Sequence, residues 1–245
     1  MDFGYYALSA LAVLIALSVH EYCHAYAAYK LGDNTARNLG RLSLNPLKHI
    51  DPIGALCMII FHIGWAKPVP INARNFKNPK KGFAITAIAG PAVNLTLAFL
   101  TSLVYCIMLA SLRNVSFVSG SFALKFWENM LLFVFLFHAI NLGLGLFNLL
   151  PFPPFDGSRI LSVVLPEKTY FGIMKYERQI YYGVLAWLLL GDYVAGFFRT
   201  LPFISNSPAL YAIVGIFSLS DILSAVISAV SDLMFGFWQL LPFLR

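Results

Sequence analysis

An all-α, polytopic membrane protein is the fold class this sequence predicts, and three observations carry it. Of its 245 residues 59% are hydrophobic and only 11% charged, where a soluble domain carries about 25% charged residues. The mean hydropathy is +0.75. Apolar runs with few charges recur at about 3–29, 52–66, 82–112, 129–155, 179–198 and 208–243, and a crossing helix needs about 20 such residues. They leave no gap for a separate soluble unit, so residues 1–245 read as a single membrane domain.

The first run has no charged residue from Phe3 to Val19 and is long enough to span the hydrocarbon core. It lacks a basic leader region and carries His20, Glu21 and His24, so it reads as a retained helix and not a cleaved signal. The second run, 52–66, is short. Lys30, Arg37, Arg41 and Lys48 precede it, and Lys67, Arg74, Lys77, Lys80 and Lys81 follow it. The positive-inside rule puts both flanks in the cytoplasm. That makes 52–66 a re-entrant or interfacial hairpin, with Gly54, Gly64, Pro68 and Pro70 favouring turns.

The later loops fit the same scheme. Residues 113–128 carry Arg113 and Lys125 against Glu128 and belong outside; 156–178 carry Arg159, Lys168, Lys175 and Arg178 and belong inside. The expected topology is an outside N-terminus, five crossings, one re-entrant element and a cytoplasmic C-terminus at Arg245. In the last run Asp221, Ser224, Ser228 and Ser231 recur at helical spacing, a polar stripe expected to be a packing face or an interfacial helix and not a site. The net charge of +6 does not imply nucleic acid. Nine of the 17 basic residues fall between Lys30 and Lys81, among apolar segments, where membrane orientation accounts for them. Cys23, Cys57 and Cys106 sit singly in apolar runs and read as buried thiols.

The chemistry starts at His20-Glu21-Tyr22-Cys23-His24. An ionisable side chain at bilayer depth costs roughly 2.5 to 3.5 kcal/mol, so three within one turn need a compensating partner. On a helix His20 and His24 lie about 40° apart around the axis, close enough for both imidazoles to reach one zinc ion at about 2.0 to 2.1 Å. Glu21 is turned about 100° from His20 and about 60° from His24. It can touch a water at the metal without ligating it, as a general base requires.

A catalytic zinc takes three protein ligands and keeps a fourth position open. The remaining candidates are His62, His138, Cys23 and Asp156. Asp156 stands out, in Asn148-Leu149-Leu150-Pro151-Phe152-Pro153-Pro154-Phe155-Asp156-Gly157. Three prolines in four positions break the helix, and the freed carbonyls need a cavity or protein partners. Gly157 permits a sharp turn just after the carboxylate. Bringing Asp156 to the inner half of the first span requires an odd number of crossings between the two. That again makes 52–66 re-entrant.

These residues resemble the site-2 protease family of intramembrane zinc metalloproteases. The resemblance rests on His20-Glu21-x-x-His24, Gly90-Pro91-Ala92-Val93-Asn94 and Asn148-x-x-Pro151…Asp156-Gly157, with Gly64-Trp65-Ala66-Lys67-Pro68-Val69-Pro70 as the lead-in to the middle helix. It covers residues 20–157. Phe155 stands where the family commonly has leucine. The resemblance implies a compact member without PDZ or CBS domain, a catalytic core over about 3–157 and C-terminal helices over about 178–243. It further implies one zinc per chain held by His20, His24 and Asp156, with Glu21 as the catalytic residue that activates water. Asn94 and Asn148 would contact substrate, and His138 and Asn141 would pack helices. The partners would be the lipid bilayer and transmembrane protein substrates, cleaved in or near their transmembrane segments. The setting would be a prokaryotic cell membrane, with the site toward the cytoplasm.

A helical substrate must unwind before cleavage. Gly40–Leu44 and Val69–Asn72 are expected to offer it extended edges, with short strands inside 40–81. Two other classes compete. A metal transporter needs ionisable residues at several depths, whereas the outer halves of these spans are almost wholly apolar. A scaffold would be indifferent to Glu21.

Overall fold

The computed structural model describes residues 3–51, 54, 67–113, 115, 117–216 and 218–244. The expected hairpin at 52–66, and with it His62 and Cys57, lies outside these residues apart from Gly54. Helix α1 spans Phe3–Lys30, α2 Pro79–Leu112 and α3 Phe122–Asn148. Two short helices, α4 (Gly157–Val164) and α5 (Glu167–Met174), lead to α6 (Glu177–Arg199), α7 (Pro208–Gly215) and α8 (Leu219–Trp238). Among the described residues α1, α2, α3 and α8 are long and apolar enough to cross a membrane. Helix α6 adds a fifth only if its two halves, bent by 40° about Leu189, count as one span. The protein is an integral membrane protein.

Local chemistry sets the helix ends. Gly32, at φ 105°, ends α1 in the left-handed conformation that glycine adopts without a Cβ penalty, and the Asp33 N–H bonds back to the Ala28 carbonyl at 2.9 Å. Asn78 caps α2 by accepting from the Lys81 N–H, with Pro79 in the first turn. Ser121 caps α3, so this helix starts seven residues before the apolar run expected at 129 and takes Lys125 and Glu128 into its first turns. It stops at Asn148, ahead of Pro151. The run expected at 208–243 divides into α7 and α8, with Ser218 capping α8 through the Asp221 N–H.

Helices α1, α2 and α3 pack pairwise through small residues. Ala12, Ala16, Ala25 and Ala28 of α1 and Ala98 of α2 are fully buried, which lets the backbones approach closely. A Cβ at Gly145 of α3 would stand 2.7 Å from Leu95 Cδ2. The three run up, down and up: His24 lies against Thr86, Asn94 against Ala16 and Asn141, and His138 against Ala98.

Helix α8 leans on α3 and α2. Leu219 packs on Phe155 and Val184, Ser231 donates to His138 Nε2 at 2.9 Å, and the Trp238 indole donates to Ser102 Oγ at 2.9 Å. The polar stripe is thus a packing face at Ser231, and Asp221 pairs with Arg199 at 2.7 Å. Arg113, beyond the far end of α2, donates to the Leu244 carbonyl at 3.2 Å. The chain therefore returns to the end where Phe3 lies, opposite Lys30. This corrects the expected C-terminus on the Lys30 side, because α8 ascends beside α3 instead of retracing α6.

Among the described residues of 40–81 no strand forms. There are 3₁₀ turns at Pro46–Lys48 and Ala73–Asn75 and an isolated bridge position at Ile50. Pro68 and Pro70 have no N–H to give a ladder, and residues 67–72 are fastened instead by the side chains of Glu21, Asp33 and Arg41 and by the Lys67 N–H on the His49 carbonyl. Cys106 is buried and Cys23 half-buried, both as free thiols.

Candidate metal centre

His20, Glu21 and His24 sit on α1, six to ten residues from Lys30, so about 9 to 15 Å in from that end of the helix. All three are buried. Asp156 arrives from the proline loop after α3. The Pro153–Pro154 bond is cis, and Gly157 presses against the main chain of Leu149 and Leu150, where a Cβ would stand 2.6 Å from the Leu149 carbonyl carbon. Only glycine lets the loop fold back this tightly, and that folding turns Asp156 toward α1. Behind it the Phe155 ring packs on Phe147 at 4.2 Å between centroids and on Val184 and Leu219. The residue that departs from leucine thus anchors the ligand loop to α6 and α8.

The donor atoms converge. His20 Nε2 and His24 Nε2 are 3.0 Å apart, and Asp156 Oδ2 lies 3.2 Å from the first and 3.1 Å from the second. Among the described residues these three form a group of metal-ligating side chains. His138, bonded to Ala98 and Ser231, stands apart from it, and Cys23 is not among its members.

The second nitrogens fix the tautomers. His20 Nδ1–H donates to Asn94 Oδ1 at 2.5 Å and His24 Nδ1–H to the Thr86 carbonyl at 2.7 Å, so both Nε2 atoms present bare lone pairs. Two lone pairs and a carboxylate oxygen within 3.2 Å of one another repel unless a cation lies among them. Tetrahedral ligands at 2.0 to 2.1 Å from zinc are about 3.3 Å apart. The observed triangle is close to that edge, so the residues fit the metal.

Asn94 is fully buried and its amide is spent within the protein. It accepts from His20 and donates to Asn141 Oδ1 at 2.7 Å and to the Ala16 carbonyl at 3.4 Å. The Asn94 oxygen faces His20 and its amide nitrogen faces Asn141 and Ala16, which places the residue behind the ligand. Asn148 does reach the cavity. The Thr86 carbonyl was not singled out by the sequence; Asn141, expected to pack helices, stands behind Asn94, and Val69, expected as part of an extended edge, gives its N–H to Glu21. Gly90 was read only as part of a motif. A Cβ there would stand 2.7 Å from His20 Cε1 and Nε2 and press on His24 Nε2, so its absence is what admits the two rings against α2.

A cavity of about 740 Å³ opens beside the triad. Apolar side chains including Val13, Leu17, Ala87 and Leu144 line it, with Glu21, Asn148 and Arg159 as its other polar groups. Glu21 Oε2 accepts from the Val69 N–H at 2.9 Å. A space of this size takes an extended peptide segment with its side chains.

Comparison with known proteins points to a family of metalloproteases. The profile described as Peptidase family M50 matches residues 8–191. The chain is 37% identical over 202 residues to a Bacillus subtilis protein named "Putative zinc metalloprotease YwhC", covering 78% of this chain and 88% of the relative. It is 29% identical over 171 residues to "Putative zinc metalloprotease Rip2" of Mycolicibacterium smegmatis and 26% over 170 residues to its Mycobacterium tuberculosis namesake, 68% of this chain in each case. It spans 60% of the length of each Rip2 protein. No solved structure matches the chain. With a family profile over three quarters of its length and the histidine–aspartate cluster within the matched span, the chain belongs to peptidase family M50, the site-2 proteases.

Proposed function

We propose that this protein is an intramembrane zinc endopeptidase that hydrolyses peptide bonds in or near the transmembrane segments of other membrane proteins. His20, His24 and Asp156 hold one zinc per chain and Glu21 is the catalytic base. One observation carries the reading: three acceptor atoms converge within 3.2 Å, with both histidine tautomers fixed from behind, at the wall of a mainly apolar cavity. The relatives' names, zinc metalloproteases, support it.

Zinc supplies Lewis acidity here: it lowers the pKa of water to about 7 and polarises a carbonyl oxygen. The protein's own groups do the rest. The Glu21 carboxylate takes a proton from the attacking water and delivers it to the leaving amide nitrogen, a role worth about 10²- to 10⁴-fold. Asn148 lies where it can bond an unwound substrate backbone. Asn94 acts through His20 as a positioning residue. The apolar walls accept the side chains of a transmembrane segment and keep bulk water from the reacting bond. Residues 3–157 form the catalytic core, and the helices over 178–243 brace the Asp156 loop from behind.

The basic residues Lys30, Lys80 and Arg159 gather at one end of the bundle, which we assign to the cytoplasm of a prokaryotic cell membrane. Phe3 and Leu244 then face outside. Two termini on one side require an even number of crossings, which α1, α2, α3 and α8 supply, leaving α6 within the cytoplasmic leaflet.

The test is reconstitution in liposomes with a synthetic transmembrane peptide carrying a central Asn-Pro break and a fluorophore–quencher pair. Wild type should cleave it, and Glu21→Gln should lose at least about 100-fold in turnover while keeping one zinc per chain. His20→Ala and Asp156→Ala should lose zinc. Zinc flux into sealed vesicles without peptide cleavage would make the protein a transporter, and cleavage indifferent to Glu21→Gln would remove the base.

A further inference from the structure

The structure leaves the question of what aims Glu21. Helix α1 fixes its Cα, but three rotatable bonds separate that atom from the carboxylate, and a free glutamate side chain samples many rotamers. The Val69 N–H meets Glu21 Oε2 at 2.9 Å in a buried setting. This donor is singular in its surroundings. Pro68 and Pro70 flank it and have no N–H, so Val69 carries the one main-chain donor of residues 68–70. Both prolines also bias the residues before them, Lys67 and Val69, to extended backbone.

The strap around that donor is fastened at both ends. Lys67 donates its N–H to the His49 carbonyl at 2.8 Å and accepts at its own carbonyl from Arg41 Nη2 at 2.5 Å. At the other end the Asn72 N–H donates to Asp33 Oδ2 at 2.7 Å. Asp33 is fully buried and also accepts from the Thr35 N–H, the Thr35 hydroxyl and Asn75 Nδ2 at 3.0, 2.5 and 2.7 Å. Between the ends the Val69 side chain is buried against Ala25 and Ala36. Six hydrogen bonds outside the metal cluster, three to the strap itself and three more to Asp33, thus hold one peptide plane in register with Glu21.

We propose that the main-chain N–H of Val69 is a positioning group for Glu21, and that Lys67–Asn72 is the mount that carries it. The donor holds one carboxylate oxygen, leaving the other for the water it must deprotonate. The functional half of this inference rests on Glu21 being the base. The hydrogen bond itself does not.

Val69→Pro removes this N–H while keeping the extended backbone that its neighbours already impose. Val69→Thr keeps the N–H with nearly the same side-chain shape and sets the side-chain contribution. Hydrogen bonds to charged groups are worth about 10- to 100-fold. In liposomes with the synthetic peptide, Val69→Pro should fall at least about 10-fold below Val69→Thr in kcat, with KM and zinc per chain equal in the two. Equal kcat, a deficit confined to KM, or loss of zinc in Val69→Pro alone would overturn the positioning role.

A second arm needs no substrate. Because prolines surround it, the Val69 amide is the one exchangeable main-chain hydrogen between those of Lys67 and Ile71. Its deuterium exchange should be at least about 10-fold faster in Glu21→Ala than in wild type, with the Lys67 and Asn72 amides unchanged. Equal exchange at Val69 in both proteins would refute the bond. If wild type fails to cleave the peptide, the protease reading falls while this arm still decides whether Val69 holds Glu21.

Discussion

Replacing Gly90 by alanine opposes two physical effects. Position 90 is inside α2, where alanine is favoured over glycine by about 1 kcal/mol, so propensity alone predicts a more stable helix. The site predicts damage. The new Cβ would lie 2.7 Å from His20 Cε1 and Nε2, about 0.7 Å inside the 3.4 Å at which ordinary contacts begin, and it would also press on His24 Nε2. The imidazoles cannot retreat freely. Each is tethered through Nδ1, one to Asn94 and the other to Thr86, and α1 is closely packed behind them. Metal–ligand distances tolerate about ±0.2 Å, so a displacement of this size costs at least one ligand its place. Disturbing only the outer partners of such ligands costs about 10- to 100-fold in affinity, and Gly90→Ala should reach the upper end of that range or beyond. The assay is zinc affinity by chelator competition on the purified protein, beside the melting temperature of the metal-free form. Weak zinc binding with an unchanged or raised metal-free Tm is the expected pair. Wild-type zinc affinity with a raised Tm would mean that the imidazoles do not lie against α2 and would refute the geometry.

Asn94→Leu should weaken zinc by about 10- to 100-fold, because the His20 N–H loses its acceptor and Asn141 its donor; chelator competition reads it. Phe155→Leu should keep full zinc and cost less than about 1.5 kcal/mol, whereas Phe155→Ala, which empties the ring's place among Phe147, Val184 and Leu219, should cost about 3 to 5 kcal/mol in denaturant unfolding. Chelating the metal should lower the Tm of wild type but not of Asp156→Ala, since only a folded site binds zinc. For Asp33, burial works to raise the carboxyl, but the bonds from Thr35, Asn72 and Asn75 outweigh it and hold it below the usual carboxylate range. A depressed folded pKa gives stability that is present above the unfolded value, about 3.9, and lost as pH falls through the folded one. The Asn72 amide should therefore stay protected from exchange at pH 5 and open only below about pH 4, with Asp33→Asn opening it at every pH.

How far the sequence disclosed this arrangement depends on which physical rule governs each part. Helical periodicity is local, so His20, Glu21 and His24 could be placed on one face without knowing what the face meets. Asp156 was reachable because prolines at 151, 153 and 154 interrupt an apolar run in front of a lone carboxylate, a conflict that only a built loop resolves. The course of α8 was not reachable that way. Loop charge weighs a few lysines and arginines, and it carries no signal of a bond from Arg113 to the Leu244 carbonyl, 131 positions away. The partners of Asn94 were out of reach for a related reason. A polar residue on an apolar helix must find a partner, but whether that partner is substrate or another helix depends on which neighbour carries the complementary group. Here His20 and Asn141 both do.

The same contacts settle the cost of placing ionisable groups at this depth. His20, Glu21 and His24 would each be unfavourable on an isolated α1. They become tolerable when α2 brings an acceptor to each imidazole and the 67–72 strap brings a donor to Glu21. Those partners reach α1 only because alanines line the α1 surface and Gly90 leaves room for two rings. Small residues are commonly read as packing alone. In this bundle close approach and a satisfied polar cluster are one requirement, because any side chain that parted α1 from α2 would strand the imidazole N–H groups before it disturbed the rest of the fold. Substitutions at Ala16 or Gly90 should therefore act first on zinc affinity and only afterwards on stability, whereas Ala12, a turn farther from the site, should show the reverse order.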